Sequence, residues 1–357
     1  MQTLTIHVGT HKTGSTSLQA FCFNNKQRLQ GLGYYYPTSG SYFGKNSGHS
    51  WLAYALAGRR PVWLPPEAAV PEPTACVQEI RDHIAASRAD HVLISSEHFF
   101  IRLSPQQLYQ TFEGLGYQLK VIVFLRPQDE FLESRYAQLV WRGSLGALSF
   151  EDFVDQELAD PNGYCYYHQR LERLADVFGK DNIAVRTFST HYTRERLFAD
   201  FLEVVGLELH KSFELPSIQN VALPSELILT LVALQEHLEG DEAQRLDLNK
   251  RVIKGHQALG ISNTNTRFFS PKRARAVMDH FSEDNAHVAS TFLDRQYLFE
   301  PDEQTGWRVA TPPSREKLVD TFLALWSSIH DEQLATHDEC RKLKQKVISL
   351  ETAINHD

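Results

Sequence analysis

The stretch HVGTHKTGST, residues 7–16, decides how the rest of the chain is read. It continues the apolar run TLTI and sets Gly9 and Gly14 at the spacing of a loop that cradles phosphate between a strand and a helix. Backbone N–H groups of such a loop, together with the positive end of the helix that follows, favour an anion. In the GxxxxGK[ST] form a lysine follows the second glycine and reaches the β and γ phosphates. Here Ser15 stands at that position, Thr16 follows it, and the cation is Lys12, inside the loop. A loop without the terminal lysine is poorly built for a triphosphate, whereas a lysine within it can face one phosphate and whatever group that phosphate carries.

Working outward, LTIHVG (4–9), HVLISSE (91–97), LKVIVFLR (119–126) and NIAVRTF (182–188) are apolar, β-branched runs that each adjoin a segment of helical character. Such alternation predicts a parallel sheet covered on both faces, an α/β fold with P-loop-like, three-layer α/β/α architecture. Ligands of these folds collect at the carboxyl ends of the strands. Those ends carry Lys12, then Glu97 beside His98, then Arg126. In RPQDEFLESRY, Arg126 ends its strand, Pro127 breaks it, and Ser134 falls about two turns into the next helix. A guanidinium forks onto phosphate oxygens and a serine hydroxyl adds a donor, so this pair is a second anion grip. Two separate grips imply a ligand phosphorylated at two places.

Between the first two runs lies an insertion, residues 34–90, containing YYYPTSGSYFGKNSGHSW and RRPVWLPPEAAVPEP. A structureless loop of that length is unusual, which predicts a helix in HSWLAYALAG and a lid or acceptor wall in the remainder. Its aromatic residues, Tyr34 to Tyr36, Tyr42, Phe43 and Trp51, either stack on sugar rings or belong to the core. From residue 189 the chain turns mainly helical, and one domain is expected over 1–300. In the segment 315–357, apolar or tolerated residues recur four and three apart from Phe322 to Ile354. That pattern is either a coiled-coil seam through which the chain forms a homo-oligomer or an amphipathic helix folded back on the domain.

With 357 residues, 42% of them hydrophobic, the chain can bury a sizeable core, and a net charge of −8 excludes bulk electrostatic capture of nucleic acid. Any anion site must therefore be local. Cys22, Cys76, Cys165 and Cys340 form no CxxC, and the sixteen histidines form no HExxH, so no metal site is expected. No stretch approaches about 18 uninterrupted apolar residues, and the segment after Met1 is too short and lacks the basic leader of a signal peptide. The expectation is a soluble, cytoplasmic protein without a membrane span.

HKTGSTSLQ followed by RPQDEFLESRY resembles the sulfotransferases that use 3′-phosphoadenosine 5′-phosphosulfate (PAPS). HVLISSEHF is similar to that family's second strand, RTFSTHYTRERLFADFLEVVGL to its segment after the fourth strand, and FSEDNAHVASTFL to a late helix of bacterial members; together they cover about residues 1–300. The resemblance implies that Lys12, Thr13, Gly14, Ser15, Thr16 and Ser17 line the 5′-phosphosulfate. It also implies that Arg126 and Ser134 take the 3′-phosphate, and that the product is adenosine 3′,5′-bisphosphate (PAP). Arg186, Arg267 and Lys272 are further basic candidates for the adenosine end.

Sulfuryl transfer needs an attacking oxygen in line with the leaving phosphate, positive charge at the bridging oxygen, and a base for the hydroxyl proton. Lys12 supplies the charge. Carbohydrate sulfotransferases resembling this chain commonly use glutamate as base and many small-molecule ones use histidine; the chain writes Glu97 and His98 side by side. Neighbours leaving a strand point to opposite sides, so one of the two faces the acceptor, and Glu97 is favoured. His49, in NSGHSW, is a third candidate. The acceptor is a hydroxyl or amine of a small molecule or glycan, with a carbohydrate foremost. Two rivals stand beside this reading. A P-loop kinase or NTPase lacks its lysine at Ser15 and finds no strand-end carboxylate for Mg²⁺ besides Glu97. A non-catalytic oligomeric scaffold of the same fold has no use for Lys12, Glu97 and Arg126.

Overall fold

Strand β1 (Thr3–Gly9) takes the extended form its β-branched run favours, and it is covered on both faces: Leu4, Ile6 and Val8 are fully buried on one side, Thr5 and His7 on the other. The computed structural model describes residues 1–41, 48–61, 64, 69–189, 191–217, 223–236, 240–258, 266–300 and 307–314. The expected coiled-coil seam from Phe322 to Ile354, with Tyr42 and Phe43, lies outside these residues.

After β1 come α1 (Ser15–Asn24), α2 (Lys26–Gly31), a two-residue strand β2 (Tyr34–Tyr35), α3 (Ser50–Leu56), α4 (Pro73–Ser87) and β3 (His91–Ser95). The chain continues through α5 (His98–Arg102), α6 (Pro105–Phe112), β4 (Gln118–Leu125), α7 (Gln128–Arg142), α8 (Phe150–Ala159), α9 (Tyr167–Phe178) and β5 (Ile183–Thr187). It then becomes helical, with α10 (Arg194–Val204), α11 (Ser225–Glu236), α12 (Glu242–Ala258), α13 (Pro271–His280) and α14 (Ser282–Val288). Two short strands, β6 (Thr266–Arg267) and β7 (Arg308–Val309), pair with each other.

The main sheet has the order β2-β3-β1-β4-β5 and every pair in it is parallel. His7 sits opposite Ser95 on one side and Ile122 on the other, so β1 is the strand from which the chain winds in both directions. That is the topological switch point of a parallel sheet, where the carboxyl ends of β1, β3 and β4 open a crevice. One core layer joins Leu4, Ile6 and Val8 to side chains of α3 to α6, α9 and α14; the opposite layer joins Leu93, Ile122 and Phe124 to α1, α2 and α10. The three-layer α/β/α arrangement expected from the alternating runs is thus present.

Within the insertion, α3 matches the helix expected there, and a second helix, α4, was not foreseen. Glu72 caps it by accepting from the Ala75 N–H, Pro73 occupies its first turn, and Cys76, Ile80 and Ile84 enter the core. Tyr34 and Tyr36 are core residues: both are buried, and Tyr34 stacks on His91 of the neighbouring strand at 4.5 Å. Cys22, Cys76 and Cys165 are buried. Among the described residues no helix is long and apolar enough to cross a membrane.

The chain falls into two compact units. The first comprises 1–134, 155–221 and 271–304 and contains the whole main sheet. The second comprises 135–154, 222–270 and the segment from 305. Its own core is aromatic: Tyr136 meets Phe268 edge-on at 5.4 Å and Phe150 meets Phe269 at 4.6 Å, while the Asn249 amide donates to the carbonyls of Val140 and Trp141.

Candidate active site

The loop after β1 is held open by left-handed turns and closed at its base by hydroxyls. Lys12 has φ 65° and Gly14 φ 80°, and Gly14 leads into α1. The Thr10 N–H and hydroxyl both donate to the Phe124 carbonyl, at 2.9 and 3.1 Å, which ties the loop to β4. Thr13 Oγ1 and Ser15 Oγ then donate to the Thr10 carbonyl at 2.7 and 3.2 Å. These two hydroxyls shape the loop. No side chain caps α1, so the amides of its first turn are left for an anion. Lys12 and Ser17 are half-buried and Thr16 is exposed. Glycine is required twice: a Cβ on Gly9 would come within 2.9 Å of the Glu97 Cα, and one on Gly14 within 2.6 Å of a Leu197 methyl. The first of these contacts is what lets the end of β3 lie against the loop.

Arg126 follows β4 directly and is buried. Its Nη1 donates to the Lys12 carbonyl at 2.8 Å, its Nε donates to Glu130 Oε2 at 3.1 Å, and its guanidinium lies 5.8 Å from the Phe188 ring centre. Ser189 Oγ donates to the other Glu130 oxygen at 2.8 Å, and the Tyr167 hydroxyl donates to the Arg126 carbonyl at 2.7 Å. Ser134, half-buried, is one helical turn beyond Glu130 and on the same face of α7. The Arg126 guanidinium thus reaches the main chain of the loop after β1, the two motifs being adjacent in space.

Glu97 follows β3 and opens α5. The Gln19 amide donates to its Oε2 at 2.8 Å. Burial pushes its carboxyl pKa up, but the nearby His98 and His11, its own backbone N–H and Gln19 together outweigh burial, and the net displacement is below the ordinary glutamate value. Glu97 is therefore ionised at neutral pH. The His98 ring lies edge-on to His11 at 5.1 Å and 4.8 Å from the Tyr54 ring. Arg102 Nε approaches His98 Nδ1 at 3.5 Å while its guanidinium sits 4.7 Å over Tyr54.

His49 is placed differently. It is fully buried, its Nδ1 accepts the Ser95 N–H at 3.0 Å, its Nε2 donates to the Pro37 carbonyl at 3.1 Å, and its own N–H donates to the Ser95 carbonyl at 2.7 Å. Accepting on Nδ1 fixes the tautomer that donates from Nε2. Burial pulls its pKa down to about 4. An imidazole with both nitrogens committed to the main chain is a bracket for the end of β3, and the base candidates beside the loop are Glu97 and His98. His7, on β1, is likewise buried, bonded through Nδ1 to Ser95 Oγ at 2.8 Å and lowered to about 4 by burial.

Of the further basic candidates, Arg186 donates to the Val185 carbonyl and pairs with Glu203 at 3.6 Å; Lys272 is exposed on α13. Arg267 belongs to the second unit, where its guanidinium lies 4.4 Å over Trp307. Five residues at the site were not singled out in the sequence: His11, Gln19, Glu130, Phe188 and Ser189. Glu130 carried a readable signal, since it lies four residues after Arg126 with opposite charge. Gln19 carried none, because its partner lies 78 residues away.

No protein-family model and no curated protein matches the chain. Among solved structures it is similar to a sulfotransferase from Alicyclobacillus acidocaldarius, with 20% sequence identity, 69% of this chain and 95% of that chain covered, and a TM-score of 0.36. A likeness so distant carries no argument, and the functional reading rests on the residues above.

Proposed function

We propose that the protein is a PAPS-dependent sulfotransferase that moves the sulfuryl group to a hydroxyl or amine of an acceptor, foremost a carbohydrate. The observation that carries this reading is the 2.8 Å bond from Arg126 to the Lys12 carbonyl, because it joins two anion-seeking motifs 114 residues apart in the sequence. The donor set fits a nucleotide phosphorylated at two positions. It comprises an uncapped helix start, a lysine within a loop that has no acidic residue between Gly9 and Ser17, and a buried guanidinium that pairs through Nε with Glu130.

PAPS supplies the sulfuryl group. The first-turn amides of α1 and Lys12 would hold its 5′ side, with the lysine charge favouring departure of the phosphate oxygen. Arg126 and Ser134 would hold the 3′-phosphate, and Phe188, beneath the guanidinium, would limit water there. Glu97, already ionised, takes the acceptor's proton; Gln19 orients its carboxylate and His11 and His98 stabilise its charge. The direct test is incubation of the full-length protein with radiolabelled PAPS and a panel of acceptors, saccharides first. Transfer that disappears in Glu97→Gln supports the reading. Mg²⁺-dependent ATP hydrolysis, with no transfer to any acceptor, overturns it in favour of the kinase or NTPase.

A further inference from the structure

On the side of the sheet opposite α1, side chains of α5, the start of α6 and α9 line a cavity of about 340 Å³ that opens to solvent. That volume is at the lower end of the range for small-molecule sites, roughly 300–1,000 Å³. Its apolar lining includes Val8, Phe99, Phe100, Leu108 and Leu174, and its polar lining is Ser104, Gln106 and, on α9, Arg170, Arg173 and Asp176. Arg170 is the least exposed of the three charged groups. Its Nη2 donates to the Asn162 carbonyl at 2.8 Å and its Nη1 reaches the Phe100 carbonyl at 3.5 Å. Its guanidinium lies 5.7 Å from the Phe100 ring centre and 5.6 Å from that of Tyr164.

Among the described residues no carboxylate forms an ion pair with Arg170; Asp160 acts on it only at longer range. Burial lowers its pKa from the ordinary arginine value. A partly desolvated guanidinium that touches only carbonyls and aromatic faces lacks a counter-ion, and such a charge is costly unless an anion joins it. Arg173, one turn further along α9, lines the same cavity from an exposed position, as does Asp176. We propose that this cavity binds a small apolar monoanion, with one carboxylate, sulfate or sulfonate group at Arg170 and an aryl or aliphatic body against Phe99, Leu108 and Leu174. The apolar part of the lining and the Asp176 carboxylate select against inorganic phosphate, and an uncharged aromatic would leave Arg170 unanswered. The site is distinct from the loop after β1 and does not depend on the sulfotransferase reading.

Calorimetric titration of the full-length protein with naphthalene-2-sulfonate, and with uncharged 2-naphthalenemethanol, tests this with and without saturating PAP. Expected is saturable one-to-one binding of the sulfonate, at least about tenfold tighter than the alcohol and unchanged by PAP. Arg170→Gln should weaken the sulfonate by about tenfold or more and leave the alcohol unaltered, while Arg170→Lys keeps part of the preference. Leu174→Trp fills the cavity and should abolish both; it acts without touching the arginine, and circular dichroism verifies that each variant is folded. Absence of saturable binding at roughly millimolar ligand, equal affinity for the alcohol, full affinity in folded Arg170→Gln or Leu174→Trp, or displacement by PAP would each overturn the proposal. Failure of PAP to bind at all bears only on the sulfotransferase reading.

Discussion

Four histidines surround the end of β3, two behind Glu97 and two in front, and burial divides them. Behind, His7 and His49 are fully buried and neutral, and between them they bond the Ser95 side chain, N–H and carbonyl. In front, His11 and His98 are half-buried, face each other at 5.1 Å and act on Glu97 through their charge. The same side chain is thus a structural bracket in one region and part of the candidate chemistry in the other. What separates them is burial: His7 and His49 are shut away from solvent, whereas His11 and His98 are half-buried.

The contrast predicts that the rear pair governs stability and the front pair governs turnover. The largest effect should appear in acid. His7 and His49 have pKa values lowered from 6.5 to about 4 in the fold, so between those pH values the unfolded chain binds protons that the folded chain refuses. Their stabilising contribution is complete above pH 6.5 and is lost as pH falls toward 4, by roughly 3 kcal/mol for each group. Urea midpoints measured from pH 7 to pH 4.5 should fall, and His49→Gln, though less stable at pH 7, should show a shallower fall. An unchanged pH slope in that variant would remove His49 from the account.

Next in size, Glu97→Gln should reduce turnover by about 10²-fold or more with little change in PAP affinity or unfolding midpoint. Near-normal turnover in that variant passes the role of base to His98. His98→Ala should cost less, about tenfold. Because the charge of His98 helps to hold the Glu97 pKa down, the acid limb of kcat/KM should move to higher pH in this variant. A limb that stays in place would mean Glu97 does not sense its neighbour. The smallest effect belongs to Tyr36→Phe. The Tyr36 hydroxyl is buried without a hydrogen-bond partner among the described residues, so its removal should be neutral or stabilising by at most about 1 kcal/mol. A clear loss of stability would show that the hydroxyl is engaged.

The four long strands and the loop between β1 and α1 were legible because a parallel strand buried on both faces writes an uninterrupted apolar run, and a phosphate loop fixes its glycines by spacing. Strand β2 was not, since two residues are too short for any period, and α4 was masked by the prolines that precede it. The division into two units was equally hidden: α7 runs unbroken across residue 134, where the division falls, with no change in composition. At the site, Lys12, Glu97 and Arg126 were readable as charged residues at strand ends. The role of His49 was not, because its partners are main-chain groups of Ser95 and Pro37, and a sequence shows the imidazole without what surrounds it.

In the proposed function Lys12 and Arg126 would grip the two ends of a nucleotide phosphorylated at both the 5′ and 3′ positions. Calorimetric titration of wild type, Lys12→Ala and Arg126→Ala with PAP, adenosine 5′-monophosphate and Mg²⁺-ATP tests it most directly. A charge-assisted contact to phosphate contributes about 1.5–3 kcal/mol, so Arg126→Ala should weaken PAP by roughly 10- to 150-fold and leave adenosine 5′-monophosphate nearly unaltered. Lys12→Ala should weaken both. Because Arg126 also bonds the Lys12 carbonyl, the monophosphate distinguishes a 3′-phosphate ligand from a mere strut: a strut would weaken the two nucleotides equally. Equal loss for both, or wild-type binding of Mg²⁺-ATP as tight as that of PAP, would contradict the account.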